Sequence, residues 1–373
     1  MKRFVIATAL LATSALTQTR DPASAKLPAV HSERSFPKPD IVLKDEKHKE
    51  PNSGVQFGPG GQLTITQGVG TPTVINGLAF SKDGNILVAA KDFGRVVIWD
   101  VQNRKLLRAL ETGQGIVSAV AISPDTKVVA TAGKSDDFSL KIWEVATGKV
   151  LKTLKEDSDF VHTLCFDSKG VWLAVSDNSG KVIVLDVATL TPAFMQTAGY
   201  FAGFSQDGSS FVTASPKEFS VWSTADWSKK RTTSWSRPIP TIVAIHPATD
   251  RMAVYQAWEI RLIRLSTGEA IEGLADILPK TSTGYPKFAE FSVDGSLLYA
   301  SVGDRLWVWD TRTNQTCGTP VMYSGAGALS ADEHWLAGAK DDSIISKERT
   351  DGVWLWNTSG LGAACGIQPP TIK

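Results

Sequence analysis

Glu290 is the residue whose setting most suits acid–base chemistry. It stands between Ala289 and Phe291 in an apolar run, and a carboxylate packed among apolar neighbours must be paired or protonated. Such a group can serve as a functional acid. It can equally be structural, meeting a nearby Lys, Arg or hydroxyl. The other acids in recurring positions, Asp83, Asp125, Asp207 and Asp294, fall in polar turns. Turn chemistry accounts for them, because Asp accepts local backbone hydrogen bonds and Gly takes positive φ. There is no nucleophile elbow, phosphate loop, metal-spaced His pair or dinucleotide fingerprint. Five His and three Cys are poor material for a zinc cluster, so no metal and no cofactor is expected. Lys plus Arg total 39 against 38 Asp plus Glu, a net charge of +1. Binding to nucleic acid calls for a clustered basic face that this balance does not provide.

The elements that position these residues repeat along the chain. Residues 139–149 read as an apolar strand carrying Trp143, a turn at Thr147-Gly148, and the start of another strand. Worn copies centre on Trp99, Leu185, Trp222, Ile263, Trp309 and Trp356. A second marker keeps the same period: an apolar strand running into an Asp- and Gly-rich turn, at residues 78–84, 120–126, 164–170, 202–208, 243–250, 289–295 and 328–334. There are seven copies, and four short strands per such unit is the mark of a propeller blade. In this frame the counterparts of Glu290 are Ala79, Ala121, Cys165, Gly203, Ala244 and Ala328, all small.

The sequence resembles the WD40-repeat β-propellers. Trp99-Asp100 and Trp309-Asp310 are literal WD pairs, while Trp143-Glu144, Leu185-Asp186, Trp222-Ser223 and Trp356-Asn357 are worn ones. The resemblance implies an all-β, seven-bladed propeller of four-stranded antiparallel blades over residues 55–373. The family's Gly-His before the innermost strand is missing, so the blades are expected to be held mostly by packing. An open ring would leave a bare sheet edge. The seventh copy lacks its outer strand, and residues 62–66 are expected to supply it, closing the ring from the N-terminal side. Residues 362–369 are the alternative.

Residues 1–25 read as a signal peptide. Lys2 and Arg3 precede an apolar stretch at 4–16, too short to span a bilayer, and Ala23-Ser24-Ala25 is a cleavage pattern. Cleavage after Ala15 and an uncleaved anchor are the alternatives. Residues 26–54, rich in charge and Pro, read as a flexible leader. The expected location is periplasmic or secreted. Cys317 and Cys365 fall at matching places in the last two copies and pair if the chain is oxidised and their α-carbons come within about 7 Å. Cys165 is expected to be a buried free thiol.

Inner strands should begin at one mouth of the central channel. Asn76, Ser118, His162, Tyr200, Thr241, Lys287 and Gly325 share that starting position. Trp235, Trp258 and Tyr285 fall in connections expected on the same side, and Trp227 on the opposite side. Trp, Tyr and Arg dominate binding hot spots, although the same aromatics can simply cap blade edges. The polar insertion at 341–351 is a loop on a rigid scaffold, where binding residues concentrate. By the resemblance, the function is a non-catalytic, monomeric scaffold that holds a protein or peptide of the cell envelope across this mouth. The alternative is a propeller enzyme or small-ligand binder using the central channel.

Overall fold

A computed structural model describes residues 39–43, 54–57, 63–66, 74–134, 137–155, 161–197, 201–205, 207–215, 217–234, 241–256, 259–271, 286–302, 305–318, 323–340 and 352–366. They form seven antiparallel blades around an axis. Blade 1 comprises Ile75–Phe80, Ile86–Lys91, Arg95–Asp100 and Lys105–Glu111. Blade 2 comprises Ile116–Ile122, Val128–Lys134, Ser139–Glu144 and Val150–Lys155. Blades 3, 4, 6 and 7 begin with the inner strands Val161–Phe166, Phe201–Phe204, Phe288–Phe291 and Tyr323–Leu329. Blade 5 opens with Thr241–His246 and has three strands among the described residues, continued by a single bridge between Ile263 and Ala270. The residues that follow, 272–285, lie outside the described residues.

Hydrophobic packing occurs between blades rather than inside them. Strand side chains alternate between the two faces of a sheet, so each blade offers one apolar face to each neighbour. Seven buried clusters result, one at each junction. Between blades 6 and 7, Tyr299, Leu306 and Val308 meet Leu336 and Trp356. Between blades 5 and 6, Tyr255 and Leu262 meet Trp307 and Trp309.

The first hairpin of most blades is tied by one repeated device. The Ser81 hydroxyl donates to Asp83 at 2.5 Å and accepts from the Ile86 N–H at 2.9 Å. Ser123 with Asp125, Ser205 with Asp207, Ser292 with Asp294 and Ser330 with Asp332 do the same. In blade 3, Asp167 replaces the serine and accepts from the Trp172 N–H itself, at 2.8 Å. The aspartates of these turns are therefore structural.

The ring is closed by an N-terminal strand, but not by residues 62–66. Ile41–Leu43 is the fourth strand of blade 7, with Ile41 opposite Leu355 and Leu43 opposite Val353. The Asp40 N–H donates to the Leu355 carbonyl at 2.8 Å, and the Asn357 N–H donates to the Asp40 carboxylate at 2.7 Å. Leu43 is buried with Val353, Leu355 and Trp99 at the junction of blades 7 and 1. Leu63–Thr66 instead pairs with Gly54–Phe57 in a separate hairpin. Three residues of the stretch read as leader thus belong to the propeller. The C-terminal alternative fails because an α-helix, Thr358–Cys365, follows blade 7 directly. That helix carries Cys365 to Cys317 on the outer strand of blade 6, with α-carbons 5.7 Å apart and the sulfurs bonded. A helix makes the approach that two diverging outer strands would not.

Packing is also supplemented by buried polar relays. Trp143 Nε1–H donates to the Thr131 hydroxyl at 2.9 Å, which donates to Gln114 Oε1 at 2.7 Å, and Gln114 Nε2–H donates to the Ser139 carbonyl at 2.6 Å. Gln114, fully buried, follows Gly113 where Gly-His was sought. Blade 4 repeats the motif from Trp222 through Thr213 to Gln196. Two substitutions should expose these contributions. Leu43→Ala should lower stability by about 2–4 kcal/mol in denaturant titration, and a cost below about 0.5 kcal/mol would deny the strand a closing role. Gln114→Ala should cost about 1–3 kcal/mol by stranding the Thr131 hydroxyl and Ser139 carbonyl.

Candidate functional site

The two ends of the axis differ in chemistry. At the end where inner strands begin, Asn76 Nδ2–H donates to Asp92 at 2.8 Å. Lys287 of blade 6 lies in the field of Asp92 from blade 1 and Lys134 from blade 2. Crowding by protein lowers its pKa, Asp92 opposes that shift and Lys134 adds to it. Side chains from three blades therefore converge over this mouth. Ser118 is differently engaged, donating to the Val161 carbonyl at 2.7 Å and so fastening blade 2 to blade 3. Both His162 ring nitrogens are occupied, Nδ1 by the Thr163 hydroxyl at 2.8 Å and Nε2 by the Asp177 carbonyl at 3.1 Å. Burial lowers its pKa, against the opposing Asp177 carbonyl. Thr241 and Gly325 occupy strand backbone at the start of blades 5 and 7. Tyr200, Trp235, Trp258, Tyr285 and the insertion 341–351 lie outside the described residues.

Trp227 stands in the turn after the third strand of blade 4, the end opposite the strand starts. It stacks on Phe194 with centroids 5.1 Å apart and meets Trp172 edge-on at 5.2 Å. This aromatic cluster fastens blade 3 to blade 4.

The turn end holds a cavity of about 760 Å³ lined by residues of all seven blades, which places it on the axis. Phe80, Ile122, Phe166, Phe204 and Phe291, the last residues of five inner strands, and Ile245, next to last in that of blade 5, supply its apolar wall. Cys165, outside any disulfide, lines it, and burial pushes its thiol up to about 12, so it is neutral. None of the predicted mouth residues borders this space.

Glu290 does border it. Its side chain keeps open surface toward the cavity while lying among many protein atoms. Enclosure, aided by the negative charge of Glu333, pushes its carboxyl up to about 7, while the Leu329 amide pulls the other way. The sequence reading had it packed between blades beside a Lys, Arg or hydroxyl. It borders the axial cavity instead.

Glu333 was not singled out in the sequence. It takes the turn position held by glycine in blades 1, 3, 4 and 6, and does so at φ +56°, a conformation non-glycine residues rarely adopt. Its carboxylate accepts the Val293 N–H of blade 6. The Val293 carbonyl in turn accepts from His246 Nε2 of blade 5 at 2.9 Å, with Thr249 at Nδ1. The turns of blades 5, 6 and 7 are thus joined beside the cavity. A glutamate in a glycine position is the signal that marked it.

Opposite pH dependences follow. The aspartates at 83, 125, 207 and 294 are held below their ordinary 3.8, Asp207 at about 2 by the Ser205 hydroxyl and the Ser209 amide and hydroxyl. Their stabilisation is present above 3.8 and is lost as pH falls through the folded values. Glu290 is raised from 4.5 to about 7. Its contribution is full below 4.5 and is lost as pH rises through about 7. Glu290→Gln should therefore raise the melting temperature by roughly a degree or two at pH 8 and leave it unchanged at pH 4.5, as read by calorimetry across pH 3–9.

Comparison with known proteins agrees with this architecture. The family described as WD domain, G-beta repeat matches residues 104–144 and 148–186. The first match runs from the outer strand of blade 1 to the third strand of blade 2, so a sequence repeat straddles two blades. The chain is 31% identical over 138 residues to small ribosomal subunit protein RACK1y of Oryza sativa subsp. japonica, covering 34% of this chain and 40% of the relative. It is 29% identical over 113 residues to eukaryotic translation initiation factor 3 subunit I of Scheffersomyces stipitis, covering 29% and 31%. It is 37% identical over 82 residues to U3 small nucleolar RNA-associated protein 15 of Schizosaccharomyces pombe, covering 22% and 16%. The chain spans less than half the length of these curated relatives. Residues 104–144 and 148–186 thus carry WD40 repeats, and they lie within the seven-bladed propeller described above.

Proposed function

We propose that this protein is an exported, non-catalytic scaffold that binds a protein or peptide over the mouth where the inner strands begin. The observation that carries the reading is the convergence there of Asn76, Asp92, Lys134 and Lys287 from blades 1, 2 and 6. A rigid ring holds donors, an acceptor and two lysines within one opening, and polar groups held in place in this way set the register and specificity of a partner. Relatives with this repeat carry names of parts of larger assemblies, a small ribosomal subunit protein and a subunit of an initiation factor. Assembly with a partner is the role transferred here, and the partner itself is not. Export is supported by the signal-like pattern of residues 1–25 and by the Cys317–Cys365 disulfide, since such bonds persist in oxidising compartments. The chain acts as a monomer in this reading.

The mature chain, used as bait in an extract of its own cell envelope, should retain a partner. Asn76→Ala with Lys287→Ala should lose that partner while keeping the parent's circular dichroism and melting temperature. Sequencing of the mature N-terminus should begin at Lys26. A partner retained by the double variant would move the binding surface elsewhere, and an uncleaved N-terminus on a cytosolic chain would overturn the export reading.

A further inference from the structure

We propose that the axial cavity at the turn end binds a small organic cation, an ammonium group on an apolar body, with the ammonium seated on the Glu290 carboxylate. This goes beyond the scaffold reading and concerns the opposite end of the channel.

The size is right. Small-molecule sites occupy roughly 300–1,000 Å³ and pair apolar walls with a few polar groups, and this space measures about 760 Å³. Its wall carries Phe80, Phe166, Phe204 and Phe291. Aromatic faces suit an apolar body and tolerate a nearby cation.

Most of the polar side chains at the wall are already satisfied by the protein. His246 is bonded at both ring nitrogens, and Thr163 bonds His162. Asp207 accepts from the Ser205 and Ser209 hydroxyls. Lys82 reaches over the mouth from blade 1 to donate to the Ser168 carbonyl of blade 3 at 3.2 Å. Glu290 differs. Its one protein donor is the Leu329 amide, and no basic side chain faces it among the described residues. Its nearest charged neighbour is another carboxylate, Glu333.

The position makes the case sharper. Six blades manage with Ala79, Ala121, Cys165, Gly203, Ala244 and Ala328 at this place. A carboxylate there costs desolvation and gains in return the Leu329 amide, with no basic side chain among the described residues. An ammonium ion would neutralise it, hydrogen-bond the free oxygen and leave its apolar body against the phenylalanines. An anionic ligand fits less well. Lys82, Lys169 and Asp207 are exposed at the rim, so the mixed charge there favours no anion, while Glu290 is the acid most crowded by protein.

Isothermal titration of the mature chain with 2-phenylethylammonium, its neutral counterpart 2-phenylethanol, and 3-phenylpropionate tests the assignment. At about pH 8 the ammonium should bind at least about tenfold tighter than the alcohol, a difference of about 1.4 kcal/mol, and the carboxylate should not bind. The preference should shrink at about pH 5.5, where Glu290 takes up a proton. It should vanish in Glu290→Gln and in Glu290→Ala. The second variant installs the residue that blades 1, 2, 5 and 7 already carry, so the fold is preserved. Equal binding of ammonium and alcohol, no ammonium binding at millimolar concentration, or a preference that survives both variants would each overturn the proposal. None of these results bears on partner capture at the other mouth.

Discussion

The three-residue pairing of Ile41–Leu43 with Val353–Leu355 is the contact on which the rest depends. Every junction between blades is a buried cluster built from two neighbours, so no blade completes its core alone. An unpaired third strand in blade 7 would expose ladder groups and leave the cluster around Leu43 and Trp99 open to water. The family match straddling two blades has the same consequence. A repeat that starts with one blade's outer strand and ends with the next blade's third strand ties neighbours covalently. It also leaves the last blade needing a strand from the front of the chain. The disulfide between Cys317 and Cys365 gives blades 6 and 7 a second fastening beside the closing one.

Closure gives the axis two ends with different economies of hydrogen bonding. At the turn end, serine and aspartate consume one another's capacity in blade after blade, which leaves the turns rigid and chemically quiet. Asp167 in blade 3 and Thr126 in blade 2 are exceptions, and three more lie together. Blade 5 replaces serine with His246, blade 7 replaces glycine with Glu333, and blade 6 replaces a small residue with Glu290. The peptide of Val293 links the first two. Departures from a repeated local solution that cluster in space and border a cavity are where a repeat protein has room to acquire a ligand. At the strand-start end the convergence is different: Asn76 and Asp92 of blade 1, Lys134 of blade 2 and Lys287 of blade 6 come together only because the ring is closed.

The blades were legible because strand alternation, a recurring Trp and Asp-Gly turns are local signals that repeat. The closing strand was not. Ile41, Val42 and Leu43 are three apolar residues inside a charged stretch, whereas residues 62–66 alternate more convincingly. Choosing between them depends on a contact some 310 residues away in sequence, visible in the 317-residue separation of Asp40 and Asn357. Gln114 was passed over because a histidine was sought, although an amide can both donate and accept and so serves the same relay. The Thr358–Cys365 helix, with two glycines and an isolated leucine, carries no helical periodicity to read. Glu290 stood out in the sequence as an anomaly, but its place at the wall of the axial cavity depends on residues brought together from all seven blades.

Amide hydrogen exchange across Gly352–Asn357 in the intact chain tests ring closure most directly. With Ile41–Leu43 in place, this strand is interior to its sheet, and its amides should exchange as slowly as those of Ser139–Glu144 in blade 2. Alternate amides exchanging at the rate of an exposed edge would mean that the ring is open at blade 7 and would contradict the account.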